Sequence, residues 1–285
     1  MAEPAQPQPR ALIVTVYGLY ARSDDGAQGW LPVGVLVRLL AELGVPEPAV
    51  RSAISRLKRR GLLESVRSGG AAGYALSAVG AEILREGDER IFQPRATSPE
   101  SGWLLAVFSV PEAERAKRHT LRSRLSGLGF GAVAPGVWIA PAHRRELAEW
   151  TLRRLSLESY VDLFRADYIA FADLEKMVAQ WWDLAAIRSS YLDFIDGFRP
   201  VLERRQRTAS SAFADWVRAV TAWRRLPYLD PGLPAALLPA DWPEPAAARL
   251  FADLNAALAT SARGHVRSVG KHGDAGDLDE GVVVP

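Results

Sequence analysis

The chain has 285 residues, a formal net charge of +2 and 48% hydrophobic residues, which is enough for two or three domains with cores of their own. It contains no cysteine, which excludes a disulfide framework and thiolate metal sites and makes the reducing cytoplasm the expected compartment. The four histidines lack metal-ligand spacing, and no apolar run approaches the roughly 18 residues of a membrane span. We therefore expect no metal site and no membrane partner.

Helix and strand signals change along the chain and predict an α+β protein with three domains. The N-terminal end is rich in proline and glutamine, and the C-terminal end is small and polar, so both ends are expected to be irregular. The predicted organisation is a flexible arm at 1–10, a winged helix-turn-helix at 11–93, a central ferredoxin-like domain at 100–174, a helical C-terminal domain at 178–262 and a disordered tail at 263–285.

Residues 47–60 predict an amphipathic helix. Val50, Ile54 and Leu57 recur at i, i+4 and i+7, which places them on one apolar face. Serine and arginine side chains fall on the opposite side, and Gly61 provides a residue that ends helices. Residues 44–67 hold six basic and two acidic residues, a net charge of +4, whereas residues 1–92 as a whole hold eleven basic and ten acidic residues. The positive charge is therefore concentrated in this helix and the segment after it.

A second amphipathic helix precedes the basic one, and a hairpin follows it. The sequence "LPVGVLVRLLAELG" ends at Gly44, so the two helices are joined by a tight turn, as in a helix-turn-helix. The segments "LLESVR" and "GYALS" predict short strands around a glycine-rich tip, which would form a wing. Such a unit suits a phosphate backbone and guanine edges in the major groove of DNA. The predicted DNA-contacting residues are Arg51, Ser52, Ser55, Arg56, Lys58, Arg59, Arg60 and Arg67. A winged helix that binds another protein is the alternative for this domain.

The central segment alternates strand and helix signals in the order β-α-β-β-α-β. This order predicts a ferredoxin-like fold, with a hairpin at residues 134–136. One function for such a domain is a metal-dependent nuclease similar to the CRISPR-associated Cas2 proteins, which place an aspartate at the end of the first strand. Residues 108–111 hold no carboxylate there, and Asp162 and Asp167 have no partner that the sequence identifies. We therefore expect no enzyme, no metal and no resident cofactor, and a role in folding and dimerisation.

Aromatic and basic residues of the central and C-terminal segments are candidates for a ligand site. Trp138 could stack on a ligand, although tryptophan at strand spacing is usually core or interface. The candidate ligand-binding residues are Trp138, Trp181, Arg188, Tyr191 and Arg199.

Three stretches of the chain resemble the PaaX-type transcriptional repressors of phenylacetate catabolism. They are "RALIVTVYGLYAR" with "GWLPVGVLVRLLAELGV", "AVRSAISRLKRRGLL", and the pair "WDLAAIRSSYLDF" and "WRRLPYLDPGLPAALLPADWP". The resemblance covers about residues 10–260. One departure is Pro46, where relatives often have a serine or threonine that could cap the recognition helix.

The resemblance implies a cytoplasmic homodimer with a winged helix, a Cas2-like middle domain and a helical C-terminal domain. It implies a repressor that binds an inverted-repeat operator in double-stranded DNA and leaves it when phenylacetyl-CoA or another acyl-CoA binds. Arg51, Ser52, Ser55, Arg56 and Arg59 match the recognition-helix positions, and Arg67 lies at the wing.

Overall fold

The structure is a computed structural model and describes residues 7–22, 29–68, 70–92, 102–169 and 171–275. Over these ranges, no helix has the length and the apolar composition needed to cross a membrane.

The N-terminal residues form four helices and a small antiparallel sheet. The bounds are α1 (Pro9–Tyr20), β1 (Trp30–Pro32), α2 (Val33–Glu42), α3 (Glu47–Arg59), β2 (Leu63–Ser68), β3 (Ala71–Leu76) and α4 (Ala78–Phe92). The sheet has the order β1-β3-β2, and both strand pairs are antiparallel. The two predicted amphipathic helices and the hairpin after them are confirmed. Strand β1 is an addition that the sequence analysis did not predict.

The ends of α3 and of the hairpin follow from local backbone chemistry. Gly61 has a φ of +71°, a left-handed conformation that glycine adopts without a steric cost, and its N–H donates to the Lys58 carbonyl at 2.8 Å. Pairing between β2 and β3 continues to Ser68 and Ala71. Ser68, Ala71, Ala72 and Gly73 of the glycine-rich segment are therefore strand residues.

The central residues form a four-stranded antiparallel sheet with two helices. The bounds are β4 (Trp103–Phe108), α5 (Arg115–Gly127), β5 (Gly131–Ala134), β6 (Val137–Pro141), α6 (Arg145–Arg154) and β7 (Val161–Ala166). The strand order is β5-β6-β4-β7, with all pairs antiparallel. This confirms the predicted β-α-β-β-α-β arrangement. Leu104, Leu121, Leu125, Trp138 and Leu152 are members of the buried core between the sheet and its helices.

The remaining residues are largely helical. The bounds are α7 (Leu174–Trp181), α8 (Leu184–Glu203), α9 (Ala209–Trp223), α10 (Leu226–Leu229) and α11 (Glu244–Ala275). Leu254, Leu258 and Ala262 are fully buried, and Val266 is 9% exposed. These four residues are spaced by four, which is one face of a helix. The face continues beyond residue 262, so the expected disordered tail is wrong for residues 263–275; residues 276–285 lie outside the described part.

The start of the chain also differs slightly from expectation. Helix α1 begins at Pro9, because proline fits the first helical position, where its missing N–H is not needed. The last two residues of the predicted arm are therefore helical, and residues 1–6 lie outside the described part.

The chain divides into two compact units. The first holds residues 1–92, 194–223 and 246–285, and the second holds residues 93–193 and 224–245. The first unit thus joins the N-terminal helices and hairpin to α9 and most of α11.

The turn between β5 and β6 provides a stability test. Gly136 has a φ of +78°, and a Cβ built there would lie 2.7 Å from the Phe108 carbonyl oxygen. We expect Gly136→Ala to lower the free energy of unfolding by about 2 kcal/mol or more, because left-handed strain and a backbone clash combine. Urea unfolding followed by tryptophan fluorescence measures this change.

Gly127→Ala is the matched control. A Cβ at Gly127, in the last position of α5, would meet no atom within 4 Å. Alanine is favoured over glycine in a helix by up to about 1 kcal/mol, so this variant should be as stable as the parent or slightly more stable. Equal destabilisation by both substitutions would contradict the account of the turn.

Candidate nucleic-acid interface

Helix α3 separates an apolar face from a cationic one. Val50, Ala53, Ile54 and Leu57 are between 0% and 2% exposed. The eight side chains predicted to contact DNA are all exposed; they are Arg51, Ser52, Ser55, Arg56, Lys58, Arg59, Arg60 and Arg67. Burial of the apolar stripe thus places the basic side chains on the solvent side, since the two sets alternate with the helical period.

Some of these side chains are held by neighbours within the helix. Arg51 forms an ion pair with Glu47, one turn earlier, at 2.6 Å, and Arg56 donates to the Ser52 hydroxyl at 2.9 Å. Both contacts are exposed, and exposed ion pairs contribute only about 0–1 kcal/mol. A phosphate or a base edge can therefore replace these partners at little cost.

Lys58 connects α3 to the hairpin. Its Nζ donates to the Ser65 hydroxyl in β2 at 2.6 Å and lies 5.5 Å from the centre of the Tyr74 ring in β3. This side chain fixes the hairpin against the helix. Lys58 is thus already engaged, although it carries one of the charges predicted to meet DNA.

Three cations of the interface have no hydrogen-bond or ion-pair partner among the described residues. They are Arg59, Arg60 and Arg67. Two follow one another at the end of α3 and the third lies in β2. Their charge is not neutralised within the described chain, so an anionic partner is the favourable complement.

Helix α1 lies beneath this surface. The Tyr17 hydroxyl donates to the Tyr74 carbonyl of β3 at 3.0 Å, and Tyr17 is fully buried. Burial is the main cause that raises the pKa of Tyr17, so this hydroxyl stays a donor at physiological pH. On the opposite side, the hydroxyls of Thr15 and Thr221 lie 2.8 Å apart, which joins α1 to α9.

The C-terminal helices also contact the end of α2. The Glu42 carboxylate meets His265 Nε2 of α11 at 2.8 Å and accepts a hydrogen bond from Ser210 of α9 at 2.5 Å. Arg218 donates to the Leu43 carbonyl at 3.3 Å, in the turn that leads to α3. These contacts were not predicted from the sequence. Their residues are about 170 to 220 positions apart, and no pattern within a single helix reports such a pairing.

The predicted ligand-binding residues lie in several environments. Trp138 is buried in β6, and Trp181 is buried at the end of α7, 6.0 Å from the Trp103 ring. Arg188 forms an ion pair with Asp241 at 2.6 Å, and Arg199 is exposed on α8. Trp138, Trp181 and Arg188 belong to one compact unit and Arg199 to the other.

Tyr191, the fifth of these residues, is part of a buried polar network. Its hydroxyl donates to the Asp230 carboxylate at 2.8 Å. Burial first, and then the Asp230 carboxylate, raise the pKa of Tyr191. Arg144 donates to the carbonyls of Asp230 and Pro231 at 2.9 and 3.1 Å. Arg144 was not predicted as a site residue, because nothing in "AHRREL" distinguishes a buried arginine from an exposed one.

Among the described residues, no group of three or more histidine, cysteine, aspartate or glutamate side chains could hold a metal ion. The aspartates considered for a nuclease, Asp162 and Asp167, are both exposed.

The fold is α+β, and three successive segments of the chain are distributed over the two compact units. An N-terminal helical region with a cationic helix and hairpin precedes an antiparallel ferredoxin-like domain and a helical C-terminal part. Three family models match these parts in the same order. They are a PaaX-like protein model over residues 8–80, the PaaX protein central Cas2-like domain over 96–178, and the PaaX-like protein C-terminal domain over 182–268.

The chain belongs to the PaaX family. It is 29% identical over 272 residues to the transcriptional repressor PaaX of Escherichia coli, a match that covers 92% of this chain and 84% of the relative. It is also similar to a solved structure, the uncharacterized protein Rv0674 from Mycobacterium tuberculosis. The identity is 23% and the TM-score 0.59, over 92% of this chain and all of the other. The second likeness supports the fold alone.

The Glu42 contacts generate a prediction about stability. We expect Glu42→Ala to lower the free energy of unfolding by about 1–3 kcal/mol, because His265 and Ser210 each lose a partner in a partly buried site. Chemical unfolding monitored by circular dichroism measures it. Glu203→Ala, at the exposed end of α8, is the control and should change stability by less than about 0.5 kcal/mol. Similar losses for the two variants would show that the Glu42 contacts contribute little.

Proposed function

We propose that the protein is a ligand-responsive, DNA-binding transcriptional repressor whose N-terminal region acts as a winged helix-turn-helix. The observation that carries this proposal is the cationic surface of α3 and β2, on which the eight predicted side chains are all exposed. Membership of the PaaX family and the similarity to a transcriptional repressor of Escherichia coli support it.

Helix α3 is the proposed recognition helix. Arginine can donate two hydrogen bonds to the edge of guanine in the major groove, while serine and arginine also bind phosphate oxygens. Arg56 and Arg59 lie on the exposed face opposite Ile54. Arg67 lies near the end of strand β2 and pairs with Ala72, and we assign it to the phosphate backbone.

The proposed assembly is a homodimer on an inverted repeat. Two-fold symmetry presents two copies of α3 separated by about one helical turn of DNA, roughly 34 Å, or a multiple of it. The operator would then consist of two equivalent half-sites in double-stranded DNA.

The proposed effector is an acyl-CoA such as phenylacetyl-CoA, and the proposed target genes serve aromatic, phenylacetate-type catabolism. Arg188 illustrates how a CoA phosphate could be bound. Its ion pair with Asp241 involves side chains that are 34% and 74% exposed, so a phosphate can compete with Asp241 for the guanidinium. Release from the operator requires that the effector bind more tightly to the released state than to the DNA-bound state.

Fluorescence anisotropy with a labelled duplex from the upstream region of the coding locus tests the proposal. We expect tight binding that weakens steeply with salt, because counterions return to the DNA as the protein leaves. Phenylacetyl-CoA should shift the isotherm to weaker binding. Binding that the ester does not affect would overturn the effector assignment alone. Binding no tighter than to random duplex would overturn the repressor assignment.

The recognition helix has a test of its own. We expect Arg56→Ala with Arg59→Ala to weaken operator binding by about 1–3 kcal/mol for each arginine that contacts a base and to reduce the preference for operator over random duplex. Arg249→Ala with Arg267→Ala is the matched control. Both lie exposed on α11 in the same compact unit, and the loss of charge is equal. An unchanged operator preference in the α3 variant would reject α3 as the recognition helix.

A further inference from the structure

Helix α5 of the central domain carries more net positive charge than α3. Its thirteen residues include Arg115, Lys117, Arg118, Arg122 and Arg124 and no acidic residue, a net charge of +5. Helix α3 has four basic residues and one acidic residue, a net charge of +3. Residues 102–169 together hold ten basic and seven acidic residues, so the rest of this region is slightly acidic. The positive charge is thus concentrated in one helix here as well.

Two of these charges are already neutralised. Arg118 pairs with Glu112 at 2.8 Å, and Lys117 pairs with Glu114 at 3.0 Å. Lys117 also contacts Tyr160, with its Nζ 2.6 Å from the hydroxyl. These contacts use the two acidic residues that precede the helix.

The other three cations lie in the solvent without such contacts. Arg115, Arg122 and Arg124 are exposed, and within the described ranges they have neither an ion pair nor a hydrogen-bonded side-chain partner. Arg115 and Arg122 are seven residues apart, so they lie on one side of the helix about 10 Å from each other. Lys117 and Arg124 are also seven residues apart, and they lie together on the other side of the exposed face.

The surface between these two rows carries mostly small side chains, together with the exposed ring of His119. Leu121 and Leu125 are fully buried and fix the orientation of α5. Opposite them lie the exposed Ala116, Ser123 and Gly127. Short side chains between two rows of cations permit close approach of an extended polyanion, and serine hydroxyls donate to phosphate oxygens. The exposed face has no apolar slot for the acyl part of a CoA ester.

We propose that α5 is a second DNA-binding surface, which binds the phosphate backbone of duplex DNA without reading its bases. This proposal rests on the proposed function, because it takes the same class of partner as α3. Duplex DNA carries one charge per roughly 1.7 Å of its axis, so the 10 Å between Arg115 and Arg122 corresponds to about six phosphates. A backbone contact of this kind contributes affinity and salt dependence and leaves the preference for sequence unchanged.

The test compares the full-length protein with Arg115→Gln plus Arg122→Gln. Binding to a labelled duplex of about 60 base pairs from the upstream region, and to a random duplex of equal length, is measured by anisotropy between 50 and 300 mM KCl. We expect the slope of log K against log salt to fall by about 2 and the affinity at low salt to fall about ten-fold or more on both duplexes. The ratio of the two affinities should stay the same, in contrast to the α3 variant.

Arg153→Gln plus Arg154→Gln on α6 is the control for net charge. It removes two charges from the neighbouring helix of the same domain, where Arg153 contacts Glu149 and Arg154 lies over the Trp150 ring. If the slope falls equally in both variants, or in neither, while the parent binds DNA, the assignment of α5 is overturned and the proposed function stands. If the parent does not bind either duplex, both proposals fail.

Discussion

Burial of the apolar stripe of α3 is the constraint on which the proposed interface depends. Val50, Ala53, Ile54 and Leu57 must be covered, and their burial turns every arginine of the helix toward solvent. Burying four apolar side chains contributes several kcal/mol, whereas the surface ion pair of Arg51 contributes at most about 1 kcal/mol. The core therefore determines the orientation of the helix, and the charged side chains follow it. A partner can then rearrange the exposed cations without disturbing the fold.

The interface is not supported by the N-terminal residues alone. Thr221 and Ser210 of α9 and His265 of α11 contact α1 and the end of α2, and these helices belong to the same compact unit. Any change in the position of α9 or α11 alters the support of the turn that precedes α3. An effector can use such a connection only if its affinity differs between the two arrangements. The contacts of α9 and α11 with α1 and α2 are the places where a shift between the two arrangements would reach the proposed DNA-binding surface.

Periodicity was sufficient to predict the elements that bury one continuous face. The basic helix, the hairpin and the order β-α-β-β-α-β all follow from spacing and glycine positions within short windows. Strand β1, with three residues, is too short for an alternating pattern. The continuation of α11 to Ala275 was not predicted because its last turns hold mainly glycine, small and charged residues, with Val266 and Val269 as the only large apolar side chains. The contact between Glu42 and His265 could not be predicted for a different reason. Periodicity shows which face of a helix is buried, but it does not show which other helix covers that face.

The two basic helices differ in context more than in charge. A tight turn and a hairpin surround α3, and this context predicts DNA binding from the sequence, whereas α5 belongs to a fold with many unrelated uses. In α3, arginine and serine side chains cover the exposed face, which suits hydrogen bonding to base edges. In α5, mostly small residues and His119 occupy the centre of the exposed face and the cations lie at its sides, which suits contact with phosphates on either side of the helix. Affinity for any duplex and discrimination among duplexes have different physical origins. Different helices of one protein can therefore provide general affinity for DNA and discrimination among sequences. The side-chain pattern of each helix indicates which of these two roles it has.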